Sequence, residues 1–402
     1  MRWPGTWSDV SLLTLLRETP INYILVQDPT IAARLQHAVE SQRLQVTIAG
    51  SPPAGIEMIE GDWPGIKPPA PGQNPMMVAG PTGEPWIDSN GWKVALAQAL
   101  HPGRELWVDV VPSPPRVYAE SYVIAVCDAG AHGASWVIGL DDALAAKLAA
   151  GDATALALWK KATQAAGFFA GWSRPEMLPA ALIGVVSDFS GDNEYMSHEV
   201  LNLLARNNQQ MRVLPLAGLT ASSLNGLRAV IYADVAAPEA DVRKLITDFV
   251  EQGGILLAGP GWGAVEGTTA PDQGLPRYDV RKRGKGCVAI AHKPLDDPYL
   301  VAQDAGILMS HRYDLLRIWN GGAVRACLAR GVDGKRGLLQ LVFYSNAREG
   351  DPSVRVAGPW RRAKLLTLDT PEGRDVPLVP EEGAAEVHLP AVRQYAAVEL
   401  EA

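Results

Sequence analysis

Cysteine, phenylalanine and net positive charge are all scarce in this sequence. Only three cysteines, Cys127, Cys287 and Cys327, occur among 402 residues. Their odd number and wide spacing exclude a disulfide framework and a zinc knuckle, and Cys127 and Cys327 sit in apolar stretches that suit buried thiols. No H-x-x-x-H pattern is present, so neither a metal nor a cofactor is expected. The longest uncharged apolar stretch, near Met177 to Val186, falls far short of the roughly 20 residues a membrane-spanning helix needs. The apolar run Ser11 to Leu16 ends at Arg17 and Glu18 and does not make a signal peptide. A cytoplasmic protein, or the mature form of a secreted or periplasmic one, is expected.

Basic surface is lacking too. Residues 1–178, 179–280 and 281–402 carry net charges of −5, −6 and +3, which recover the formal −8. Phosphate contacts supply most non-specific nucleic-acid affinity, so the two acidic segments exclude a DNA or RNA partner. The one basic cluster, Arg281-Lys282-Arg283-Gly284-Lys285, reads as a solvated loop.

What is present is a globular composition with an aromatic bias. Apolar residues make up 47% and charged residues 20%, which excludes a disordered chain. The length predicts two or three domains. Tryptophan (12) outnumbers phenylalanine (5), and nine of the tryptophans fall within the first 172 residues.

Residues 1–178 alternate apolar runs with helical stretches, beginning at Ile21–Val26, Ile31–Glu40 and Leu44–Gly50. Further strands are expected at Gly55–Glu60, Asn74–Gly80, Leu106–Val111 and Ser135–Leu140, and helices near Gly91–Leu100, Tyr118–Ala129 and Ala143–Phe169. About six strands and four helices predict a parallel sheet covered by helices, as in a shortened or incomplete (β/α) barrel, because complete barrels take about 250 residues. The proline-rich Pro64–Pro75 reads as a long loop over a site. Residues 179–285 read as a doubly wound α/β domain, with a buried strand ending at Ser187-Asp188 and an amphipathic helix stopped by Gly253-Gly254. Residues 286–402 read as a helix near Tyr299–Trp319 followed by an antiparallel β-sandwich.

The middle unit carries Ile183-Gly184-Val185-Val186-Ser187-Asp188, Tyr195, Ala229-Val230-Ile231-Tyr232 and Phe249-Val250-Glu251-Gln252-Gly253-Gly254-Ile255-Leu256-Leu257. It resembles the class I amidotransferase-like trimerisation domain of bacterial β-galactosidases. Leu338–Ser345 and Tyr395–Leu400 resemble the small β domain that ends those enzymes, and the likeness covers residues 180–402. The resemblance implies a glycoside-hydrolase architecture with a catalytic barrel in front, a carbohydrate ligand and a homo-oligomer, trimer or dimer. Two departures stand out. Glutamine amidotransferases carry a Cys in a G-x-C-x-G elbow, whereas Gly259-Pro260-Gly261-Trp262-Gly263 puts Gly261 in that place, so the thiolate nucleophile is missing. The family's two catalytic glutamates have no counterparts that can be assigned in the short first segment.

Sites in barrels and parallel sheets form where strands end. Asp88, Asp109 and Glu60 are therefore the candidate carboxylates for glycoside hydrolysis, which needs two of them about the scissile bond. Gly83-Glu84-Pro85-Trp86-Ile87-Asp88-Ser89-Asn90-Gly91-Trp92 sets Trp86 and Trp92 about an Asp and an Asn90. Aromatic faces stack on sugar C–H faces while polar groups bond hydroxyls. Trp63 is a further platform. The competing structural readings are a helix cap at Asp88 or Ser89 and a packed Trp92. Three hypotheses follow: a glycoside hydrolase-like protein, a non-catalytic carbohydrate-binding or oligomer-scaffold protein, and an α/β enzyme using Asp188 and Gly259–Gly263.

Overall fold

The computed structural model describes residues 1–39, 44–67, 86–112, 120–172, 176–270, 275–345 and 350–402. The expected strand Asn74–Gly80, much of Pro64–Pro75, and Gly83–Pro85 lie outside the described residues.

In the first unit, short apolar runs form strands β1 (Tyr23–Val26), β2 (Gln45–Ile48), β3 (Ile56–Glu60), β4 (Gly65–Ile66), β5 (Ile87–Asp88), β6 (Glu105–Asp109) and β7 (Ser135–Val137). β2 pairs in parallel with β1, and β3, β6 and β7 form a second parallel ladder. Residues 1–3 join the two. Arg2 bridges Leu25 in parallel, and its amide donates to the Ile138 carbonyl (2.9 Å). The extended segments thus run in the order β2, β1, residues 1–3, β7, β6, β3. Among the described residues β2 and β3 do not pair, so the sheet stays open and no barrel closes.

The two faces of this curved sheet alternate as strand geometry requires. Leu25, Ile56, Trp107 and Val137 form a small inner core. Ile24, Val26, Val108 and Trp136 belong to the larger core shared with helices α1 (Pro29–Val39), α2 (Gly91–Leu100), α3 (Ser121–Ala131), α4 (Asp142–Ala149) and α5 (Ala153–Ala170). The single helix expected over Ala143–Phe169 is two, because Gly151 turns the chain at φ +75° and Asp152 then caps α5 through the Ala155 amide (2.9 Å). α3 is buried on nearly every side, since it lies between the curved sheet and the C-terminal unit; an apolar helix without a polar face fits only such a place.

Strand β8 (Met177–Pro179) leaves the first unit and becomes an edge strand of the C-terminal sheet. The middle unit contains β9 (Ile183–Ser187), β10 (Met211–Pro215), β11 (Ala229–Tyr232), β12 (Ile255–Ala258), β13 (Thr268–Thr269), β14 (Tyr278–Arg283) and β15 (Gly286–Ala291). The sheet order is β10-β9-β11-β12-β15-β14-β13, with the first five parallel. α6 (Glu194–Arg206) and α8 (Pro298–Met309) cover one face, and α7 (Ala240–Glu251) covers the other. The boundary expected at 285/286 falls inside the β14–β15 hairpin. β15 pairs with β12, and α8 packs on α6, so the doubly wound unit extends to Met309. Ser310, at φ +70°, ends α8, which corrects the longer helix expected to Trp319.

The remaining chain forms β16 (Leu316–Trp319), β17 (Val324–Gly331), β18 (Arg336–Phe343), β19 (Ser353–Ala357), β20 (Arg362–Thr367), β21 (Thr370–Asp375), β22 (Leu378–Glu381), β23 (Ala384–His388) and β24 (Tyr395–Glu401). Sheets β21-β20-β24-β18-β17-β8 and β16-β19-β23-β22 enclose a core that includes Leu339, Phe343, Val356 and Val398. The outer face of the six-stranded sheet offers Leu338, Val342, Tyr344 and Tyr395 to the first unit's core.

Candidate functional site

The strand pairing divides the three candidate carboxylates between two places. Glu60 and Asp109 end β3 and β6 in register, so their side chains share the inner face of the curved sheet. Asp109 is ion-paired with Arg2 there, and Glu60 is exposed. Asp88 instead ends β5, opposite Gly65 of β4, and lines a cleft of about 590 Å³ between the first and middle units. Neither Glu60 nor Asp109 lines that cleft.

One wall of the cleft is built by Asp62, Lys67, Trp86, Asp88, Trp92 and Lys93. The Trp86 Nε1 donates to Asp88 Oδ1 (3.1 Å). Lys93 Nζ lies 3.0 Å from Asp62 Oδ2 and donates to the Glu60 carbonyl (3.2 Å). The other wall is α6, where Glu194, Tyr195, His198, Glu199 and Asn202 recur at helical spacing along one face. Tyr195 is 68% exposed and offers an open aromatic ring. Burial lowers the His198 imidazole from its ordinary 6.5; Glu194 and Glu199 oppose that shift, and Lys93 adds to it.

The tryptophans are more committed than the sequence suggests. Trp63 packs against Tyr122 and Trp136, with ring centroids 5.2 and 5.4 Å away, and is half-buried against the first unit's core. Trp92 is buried in the middle unit's core with the His198 ring 5.6 Å away, because α2 docks on α6 and β10. The Trp86 ring has the Arg206 guanidinium 3.9 Å from its centroid.

Asn90 is wholly buried and acts on the protein's own backbone. Its Oδ1 accepts the Asp62 amide (2.8 Å), and its Nδ2 donates to the Asp62 carbonyl (2.9 Å) and to Asp128 Oδ2 (2.8 Å). Asp128, also fully buried, accepts the Asn90 amide (2.9 Å) and the Tyr344 hydroxyl. The expected cap at Asp88 or Ser89 is not what starts α2; its N-cap position is Asn90, whose side chain makes no cap bond.

At the carboxyl ends of β9 and β11, the Ser187 hydroxyl and the Asp188 amide donate to Asp234, whose carboxyl burial pushes up. Gly261 closes over this crevice so tightly that a Cβ there would lie 2.0 Å from the Val235 carbonyl oxygen. Among the described residues, no group of three or more His, Cys, Asp or Glu is placed to hold a metal, and no helix is long and apolar enough to cross a membrane.

No family model matches the chain, and no curated protein matches it. Solved structures do. α-L-Fucosidase isoenzyme 2 from Paenibacillus thiaminolyticus aligns over 98% of this chain and 79% of its own, at 11% identity and a TM-score of 0.54. The architecture is glycoside-hydrolase-like. Gan42B, a GH42 β-galactosidase from G. stearothermophilus, aligns over 78% of this chain and 56% of its own at 12% identity, TM-score 0.48. A rhamnosidase from Novosphingobium sp. PP1Y aligns over 92% and 39%, at 11% identity and TM-score 0.46.

Sequence reasoning missed Arg2, Asp128 and the acidic face of α6. The spacing Glu194, Tyr195, His198, Glu199, Asn202 was the available signal for the last. Arg2 and Asp128 act through distant partners, which no local pattern announces.

Proposed function

We propose that the protein recognises carbohydrate in the cleft between α2 and α6, on an architecture built like that of glycoside hydrolases. The observation that carries this reading is the facing of two unlike walls across about 590 Å³: Trp86 and Asp88 on one side, and Tyr195, Glu194 and Glu199 on the other. Sugars are bound by such mixtures, in which aromatic groups cover C–H faces and carboxylates accept from hydroxyls. Tyr195 replaces Trp92 and Trp63 as the stacking group in this reading, because it is exposed where they are packed.

Isothermal titration against methyl galactosides, fucosides and rhamnosides and their oligosaccharides tests it. Binding that weakens at least about tenfold in Asp88→Asn and in Tyr195→Ala is expected. Absence of binding across the whole panel would sink the reading.

A hydrolytic role is the second reading, and it is favoured by carboxylates on both walls. Glycoside hydrolysis needs one carboxyl as acid and another as nucleophile or base about the bond. In this reading Asp88 and Glu199 are the two carboxyls, one giving its proton to the leaving oxygen while the other attacks the anomeric carbon or takes a proton from the attacking water. An aryl-glycoside screen of the wild type beside Asp88→Asn decides it: equal rates in the two would remove Asp88 from any mechanism. The homo-oligomer is likewise part of the proposal, and light scattering showing a strict monomer would remove it.

A further inference from the structure

We infer that Tyr344, in the C-terminal unit, and Asp128, in α3, are positioning residues for the cleft, acting through Asn90; the inference rests on the carbohydrate reading only for its functional consequence. The connection is continuous, and it is buried from Tyr344 to Asn90. The Tyr344 hydroxyl donates to Asp128 Oδ1, while Asp128 Oδ2 accepts both the Asn90 amide (2.9 Å) and Asn90 Nδ2 (2.8 Å). Asn90 then clamps Asp62 by its amide and its carbonyl (2.8 and 2.9 Å). Asp62 reaches Lys93 (3.0 Å), and both line the cleft. Tyr344, Asp128 and Asn90 have no solvent exposure.

Geometry makes Asn90 the point where two wall segments meet. It lies two residues after Asp88 and two before Trp92, and through Asp62 it also fixes the turn after β3. Gly61 permits this approach, since a Cβ there would come within 2.9 Å of Asn90 Oδ1 and 2.4 Å of Val108. A buried carboxylate that accepts three hydrogen bonds is held hard, because losing a donor at a buried site costs more than the bond itself. The Asp128 carboxylate therefore transmits the position of β18's end to the cleft wall. A cleft assembled only from the first and middle units would need no hydroxyl from Tyr344.

Fluorine NMR of protein labelled with 5-fluorotryptophan tests this without any ligand. The Trp86 and Trp92 signals are assigned by Trp86→Phe and Trp92→Phe. Tyr344→Phe is expected to shift or broaden the Trp86 and Trp92 signals. Tyr395→Phe, which loses a partly buried hydroxyl bond to Gln340 Oε1 (2.6 Å), is the control for a general loss of packing and is expected to leave them in place. Asp128→Asn keeps the shape and an oxygen for Asn90, so it should perturb the signals less than Asp128→Ala. Unchanged Trp86 and Trp92 signals in a folded Tyr344→Phe protein would overturn the inference, and so would equal shifts in Tyr395→Phe. In titrations, Tyr344→Phe should weaken carbohydrate binding about threefold or more. A wild type that binds no carbohydrate removes the functional reading, while the fluorine signals still decide the positioning claim.

Discussion

The guanidinium of Arg206 lies over the ring of Trp86, 3.9 Å from its centroid, and so joins the end of α6 to the strand-end segment that leads into Asp88. The contact crosses between the middle and first units. Arg206 also lies in the last turn of its helix, where a cation is favoured by the helix dipole. Arg206→Ala should therefore destabilise the protein by about 1–2 kcal/mol, between the values for exposed and for desolvated cation–π pairs. Urea unfolding measures the loss. Arg206→Lys should recover only part of it, because an ammonium does not stack as the planar group does.

Gly61 sits where β3 gives way to the turn holding Asp62. A methyl group there would meet Val108 Cγ1 at 2.4 Å and Asn90 Oδ1 at 2.9 Å. Gly61→Ala should cost about 1–3 kcal/mol, the usual penalty of overpacking. Chemical denaturation checks it, and a neutral result would mean that Val108 and Asn90 have more room than their positions show.

How far such features could be read from the sequence depends on whether their cause is local. The apolar runs Ala181–Val186 and Ile255–Ala258, bounded by polar or glycine turns, announced buried parallel strands, and β9 (Ile183–Ser187) and β12 are there. The helix end at Ser310 was missed because a non-glycine residue at φ +70° carries no sequence mark. The hairpin β14–β15 was missed because the charges of Arg281–Lys285 read as a solvated loop, whereas Arg281, Lys282 and Arg283 belong to β14 and pair with β15. In the candidate site, the setting of Trp86 and Asp88 beside a polar turn marked a strand end, and β5 ends there. The packing of Trp63 carried no such mark, because only the tertiary fold brings Tyr122 and Trp136 around it. The opposite cleft wall belongs to a helix over a hundred residues later, so its partnership with Asp88 is a property of the fold alone.

Two histidines set an acid limit on stability. Burial lowers the imidazoles of His132 and His198 from their ordinary 6.5, against the opposing pull of Asp128 on the first and of Glu194 and Glu199 on the second. Above about pH 6.5 both are neutral in the folded and unfolded chains and cost nothing. Below it the unfolded chain takes up protons that the folded chain resists, so stability falls as pH drops from 6.5 toward the depressed folded values. Asp234, raised above its ordinary 3.8 by burial, has the opposite sign: it favours the folded state at low pH and loses that contribution as pH rises through its folded value. Urea midpoints should therefore decline between about pH 7 and pH 5, and His198→Asn should flatten the decline. A midpoint constant over that interval would contradict the assignment.

Gly261 offers the last test. In the resemblance drawn from the sequence, Gly261 of Gly259-Pro260-Gly261-Trp262-Gly263 takes the place of an elbow's nucleophilic Cys, so a Cys placed there poses the question of thiol chemistry. The geometry answers against it. A Cβ at Gly261 would lie 2.0 Å from the Val235 carbonyl oxygen, which is backbone and cannot swing away as a side chain does. Gly261→Cys must therefore push apart the turns after β11 and β12, and it should cost about 1–3 kcal/mol or more in urea unfolding. Assay of glutamine hydrolysis by the variant should find none, because the thiol arrives only by displacing the turns that would have to position it. A Gly261→Cys protein as stable as the wild type would show that this crevice can open.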